Sequence, residues 1–135
     1  MKVEIFALCD AATDNHGKLN LLGTFDQIYA AKLPVVHPAC AIALRLRFDK
    51  MEEGPHGVKL QLVNPDGIPV FQSMEGQVNP RMGDEIGSVA VNLILNFQNV
   101  KFDEFADYQI NLTLDGVAMA SLPLRVRQMV RPTPA

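Results

Sequence analysis

The side chains able to do chemistry in this chain are few and scattered. Histidine occurs at His16, His37 and His56, each in its own stretch between apolar runs. None forms the H-x-H pair that a jelly-roll metal site would use, so the three read as surface loop residues. Cys9 and Cys40 both lie inside apolar runs and read as buried, reduced thiols, with no histidine cluster near enough in sequence to make zinc a reading. Asp10, Asp14, Asp26, Asp49, Asp66 and Asp103 fall in or near turns. Calcium requires about six to eight oxygens, which end-loop carboxylates of a C2-like module would supply. No D-x-D spacing occurs here, and the turn chemistry of Asp accounts for most of these positions. There is no G-x-S-x-G, no phosphate-binding loop and no glycine-rich dinucleotide fingerprint. No Ser-His-Asp set can be assembled. The expectation is a chain with no catalytic residue, no metal ligand and no cofactor.

Four arginines make the one patterned set of charges. Arg45 and Arg47, and again Arg125 and Arg127, stand two residues apart on the polar side of a strand pattern. On neighbouring strands the four guanidiniums would form one patch suited to carboxylates or phosphates. The alternative is a solvated face on which each Arg meets an acidic residue across a strand pair. A second polar set is amide-rich: Asn92, Asn96 and Gln98 on one run, Gln109, Asn111 and Thr113 on another. Such residues make an ordinary sheet exterior, and they equally suit a partner or a glycan.

Strands must position these groups, because no window of a dozen residues has helical period. The clearest signal runs from Phe102 to Arg127. Tyr108, Ile110, Leu112 and Leu114 alternate with polar residues, and Asp115-Gly116 suits a type I′ turn. Leu122, Leu124 and Val126 return, with Pro123 marking an edge or a bulge. Glu104-Phe105-Ala106-Asp107-Tyr108 resembles a tyrosine corner, whose hydroxyl bonds backbone a few residues upstream. The run from Val3 to Cys9 is apolar on both faces after Glu4, so it reads as a strand that is covered on both sides or central. A turn at 14–17 leads to a strand over 18–31, with Gly23 marking a bulge or bend. Residues 35–37 read as an extended connection between Pro34 and Pro38. Further strands follow at 39–48, 58–62, 68–71 and 88–97, with Asn64-Pro65-Asp66-Gly67 as a turn and a short strand near Gln77. The pattern predicts an all-β fold: an antiparallel Greek-key, immunoglobulin-like β-sandwich of about eight strands. It spans residues 1–130, with 131–135 a flexible C-terminal tail containing Pro132 and Pro134.

Composition sets outer limits. A chain of 135 residues buries roughly two-thirds of its unfolded surface and requires no disulfide or metal to hold it. A net charge of -3 argues against nucleic acid or an anionic membrane as the main partner. No apolar run reaches the roughly 20 residues of a membrane span, and Glu4 stands where a secretory leader would be apolar, so a cytoplasmic location is expected.

Several segments carry a family resemblance. They are Leu8-Cys9-Asp10, Gly23-Thr24-Phe25-Asp26-Gln27-Ile28, Arg45-Leu46-Arg47-Phe48, Asn64-Pro65-Asp66-Gly67, Asp115-Gly116 and Ser121-Leu122-Pro123-Leu124-Arg125-Val126. Together they resemble a family of small bacterial proteins known as a domain of unknown function. The resemblance covers nearly the whole chain and contains no catalytic motif. It implies a compact bacterial domain and supplies no activity.

The expected function is therefore non-enzymatic: an interaction domain that binds a protein partner or a second copy through flat strand surface and a free edge at Pro123. Small-ligand or carbohydrate binding by the end loops 49–57 and 72–87 is the alternative, and a calcium-dependent C2-like module comes after it.

Overall fold

A computed structural model describes residues 1–130; the expected tail at 131–135 lies outside the described residues. Nine strands are present among them. They are β1 Lys2–Asn15, β2 Lys18–Thr24, β3 Gln27–Ala30, β4 Val35–Asp49, β5 His56–Val63, β6 Met74–Val78, β7 Ser88–Phe102, β8 Asp107–Leu114 and β9 Val117–Gln128. A single turn of 3-10 helix, Lys50–Glu52, joins β4 to β5. The strands form two sheets, one ordered β2-β1-β4-β7 and the other β3-β9-β8-β5-β6. Pairing is antiparallel except for β3, which runs parallel to β9.

The hairpin signal holds in detail. Asp115 and Gly116 both have positive φ, at 49° and 78°, as a type I′ turn requires. Asn15 to Lys18 turns the same way through His16 and Gly17, at 54° and 82°. The Tyr108 hydroxyl donates to the Glu104 carbonyl at 3.1 Å, which pins the entry to β8. The second sheet contributes Leu60, Leu112, Leu114, Leu124 and Val126 to the core, and the first contributes Leu8, Ile42, Leu44, Leu46 and Phe48. The two alternating faces thus meet and exclude water from one another.

Three expectations are corrected. The count is nine strands, because residues 18–31 are two strands in different sheets. The chain bends at Gly23, φ 67°, and Phe25 and Asp26 cross from one sheet to the other. Residues 35–37 are part of β4, paired with Phe102, Lys101 and Val100. Pro38 is tolerated there because Asn99, in the facing stretch of β7, takes φ 52°, and β1 does not reach that far along β4. Residues 68–71 make only an isolated bridge, Val63 to Pro69, since the proline has no N–H to extend a ladder. Ala41 and Ala43, on the face of β4 that also carries Arg45 and Arg47, are buried. The β1–β2 hairpin arches back over the outer side of the first sheet, where Cys9, Ala41 and Ala43 pack with Leu19, Leu21 and Ile94.

Gly23 is where that arch meets its strand. A Cβ there would stand 2.5 Å from Asp10 Oδ2 on a backbone of positive φ. Gly23→Ala is expected to cost about 1–3 kcal/mol, read as a lowered midpoint in urea unfolding. An unchanged midpoint would show that the bend is not under this steric constraint.

Candidate functional site

The structure does not bring the four arginines together. Arg45 and Arg47 lie on β4 and Arg125 and Arg127 on β9, in different sheets. Each has an acidic neighbour. A bulge in β1 between Val3 and Ile5 presents Glu4, whose carboxylate accepts from Arg45 Nε at 3.2 Å and from Arg47 Nε at 2.9 Å. Arg47 holds the Glu4 carboxyl below its ordinary range, with Arg45 contributing less, and Glu4 raises Arg47 in return. Arg45 also donates to Asn92 Oδ1 at 3.0 Å and to the Gly17 carbonyl at 3.4 Å, fastening the hairpin tip across β4. Arg125 faces Asp26 at 3.8 Å, and Arg127 is bonded to Asp107. These are cross-strand pairs at partly exposed positions, worth little each. The amide sets are divided likewise, with Asn92, Asn96 and Gln98 on β7 and Gln109, Asn111 and Thr113 on β8.

The histidines differ from one another. His16 is at the β1–β2 turn. His37, expected in a loop, lies in β4 against the Phe25 ring, with its Nε2 buried and unpartnered. It lines an internal cavity with Leu8, Cys40, Phe97 and Phe102. That cavity holds about 30 Å³, room for a water or two at roughly 10–15 Å³ each and too little for a ligand. His56, also expected on the surface, is largely buried, its side chain 14% exposed. Its Nδ1 meets Asp115 Oδ2 at 2.6 Å, its Nε2 meets the Glu52 carbonyl, and its ring stacks on Phe48 at 4.8 Å. Asp115 accepts from the Gly57 amide at 2.8 Å with its other oxygen. An imidazole with acceptors on both nitrogens donates from both, which is the cationic form. Asp115 first and the Glu52 carbonyl second raise the His56 pKa, and His56 lowers that of Asp115. This is a clasp between the β4–β5 connection and the β8–β9 turn, with no free imidazole nitrogen for catalysis. Sequence reasoning missed it because the two residues meet only once Val58 is registered against Leu114.

Among the described residues no three His, Cys, Asp or Glu side chains gather as a metal site. Asp14 bonds Gly17 and Asn92, and Asp49 caps the 3-10 turn. The thiols are free. Cys9 lies beside Ala41 and Cys40 precedes Ala41 on β4, so they project to opposite faces of the sheet. Burial pushes the Cys40 thiol up to about 11. The end loops 49–57 and 72–87 do meet: the Gly54 amide donates to the Pro80 carbonyl at 3.3 Å and the Met82 amide to Glu53 Oε1 at 2.9 Å.

What remains is main chain at the sheet edges. β7 pairs with β4 from Val35 to Asp49 and, among the described residues, has no strand on its other side. From Ser88 to Val100 it carries no charged residue and no proline. Val91, Leu93, Leu95 and Phe97 pack on the core yet stay only half-buried; the Phe71 ring meets Phe97 at 5.5 Å, and among the described residues no strand lies beyond β7. A second edge lies where β3 stops short. β3 pairs with Arg125 to Gln128 alone, leaving Val117 to Leu124 of β9 open on that side, with Pro123 in the open part as its chemistry requires. Phe6, Leu8, Phe25, Leu122 and Pro123 line a cleft of about 400 Å³ there.

No helix among the described residues is long and apolar enough to cross a membrane. No curated protein matches the chain. The model of a family of unknown function, DUF6941, matches residues 4–127, and the chain belongs to that family.

Proposed function

We propose that this chain is a non-catalytic interaction domain that binds an extended protein segment, from a partner or from its own kind, by strand addition to an open sheet edge. The observation that carries the reading is β7, a long edge strand with no charge and no proline from Ser88 to Val100. Edge strands are ordinarily blunted by lysine, proline, bulges or shortness. β6, at five residues, is blunted by length, and β9 by Pro123. An edge left undefended over so many residues is explained by occupancy.

The architecture suits that role as a Greek-key, immunoglobulin-like β-sandwich. Support comes from the sheet order β3-β9-β8-β5-β6, the parallel pairing of β3 with β9, and the Tyr108 hydrogen bond at the entry to β8. The two free thiols support a reducing, cytoplasmic setting, and the family resemblance supports a bacterial one.

A displayed library of random peptides tests the reading. Selected binders are expected to slow amide hydrogen exchange within Ser88 to Gln98. Binders that protect only other surfaces, or a selection that yields none, would defeat it. A second reading, a small-ligand or carbohydrate site in the end loops, draws on the contacts that join 49–57 to 72–87. A thermal-shift screen with calcium, zinc, sugars and phosphate separates the two: stabilisation by any of them favours the loops.

A further inference from the structure

We infer that the occupant of the β7 edge is the β7 edge of a second copy, paired antiparallel about a two-fold axis at Ile94. The inference rests on the reading of β7 as an interaction edge and names what it binds. The run Asn92-Leu93-Ile94-Leu95-Asn96 reads the same in both directions. In an isologous antiparallel pair centred on Ile94, Leu93 stands opposite Leu95 of the other copy and Asn92 opposite Asn96. Continuing outward, Val91 meets Phe97 and Ala90 meets Gln98. Apolar side chains oppose apolar ones on the core side, and no charge opposes a like charge anywhere in the span. A one-residue slip would set Asn92 against Leu95 or Leu93 against Asn96, so the register is specified.

The local chemistry accepts this partner. Asn92 is already bonded to Asp14, Gly17 and Arg45, so nothing of it is left unpaired when a second chain covers it. Asn96 is exposed and free to turn toward the facing amide or water. The half-buried flanks of Leu93, Ile94 and Leu95 become covered. Two four-stranded sheets join as one continuous sheet, and the open main-chain donors and acceptors of β7 are satisfied. The β9 edge is the poorer choice, since Pro123 offers no donor and the Phe25-Asp26 crossing borders the cleft beside it.

Sedimentation and disulfide cross-linking of the full chain test the pairing. The wild type is expected to run as two chains at micromolar concentration and to dissociate on dilution. Asn96→Lys, at an exposed position that would face the Asn92–Arg45 contact of the other copy, should raise the dissociation constant by about tenfold or more, while the far-ultraviolet spectrum stays unchanged. Ile94→Cys should form a reducible dimer on mild oxidation, because its copy lies directly opposite, and Asn96→Cys should not. If Ile94→Cys fails to fold, Ala90→Cys combined with Gln98→Cys makes the same test. A single chain at every concentration overturns the inference, as does cross-linking at 96 as readily as at 94. A monomer whose Ser88 to Gln98 amides are protected by selected peptides removes self-pairing and leaves strand addition standing; a monomer with those amides unprotected removes both.

Discussion

Phe48→Ala is expected to lower the stability of the chain by about 3–5 kcal/mol, the range for removing a large aromatic side chain from a packed core. Phe48 is fully buried at the end of β4, opposite Val89. Its ring also carries the stacked His56 imidazole. The substitution therefore opens a cavity and withdraws the surface that fixes the orientation of His56. The gap cannot close easily, because the strands on either side are held by ladders whose register cannot slide. Urea unfolding followed by circular dichroism should show the midpoint displaced with the slope unchanged. Met51→Ala, at a side chain 96% exposed, serves as the comparison and should stay within about 0.5 kcal/mol of wild type. A loss below about 1 kcal/mol for Phe48→Ala would mean that the two sheets do not meet as described.

How much of this was legible in the sequence varies by kind of interaction. Period-two patterning located most of the strands, since each core-facing run, such as Ile42 to Phe48 or Ile110 to Leu114, alternates over several residues. The turns at His16-Gly17, Asn64 to Gly67 and Asp115-Gly116 were legible because positive φ selects particular residues. The Tyr108 bond was legible because it spans four residues. Contacts between distant elements were not. Glu4 meets both Arg45 and Arg47 only because β1 bulges, and nothing in the order of residues marks that bulge. The apolar outer face at Ala41 and Ala43 was hidden for a similar reason. Alanine beside arginine reads as a wet face until the β1–β2 hairpin is known to fold over it. The β7 edge is a mixed case. Alternation from Ser88 to Phe97 marks the strand, but that it is an edge is a matter of sheet order, which pattern does not carry.

The second large effect is a pH dependence set by the clasp of His56 and Asp115. Because Asp115 and the Glu52 carbonyl favour the cation, the folded chain holds the His56 proton more tightly than the unfolded chain does. The folded state then binds more protons over the window from the ordinary value of 6.5 up to the raised folded value. Stability must fall with rising pH across that window, and the contribution of His56 is fully present below it. Asp115 acts in the opposite direction at the acid end. Its pKa is lowered from 3.8 by His56 and by the Gly57 amide, so its contribution is lost as pH falls through the folded value. The clasp thus contributes most between the two limits. His56→Gln should cost about 1–2 kcal/mol near pH 6, where it removes two charge-assisted hydrogen bonds at a mostly buried ring. The cost should shrink as the pH is raised, because the wild type surrenders the same contribution there. Plotting the wild-type minus variant difference from about pH 5 to pH 9 isolates this group from the other two histidines. A difference that stays flat, or grows toward high pH, would show that His56 is held neutral and that the clasp is an ordinary hydrogen bond rather than an ion pair.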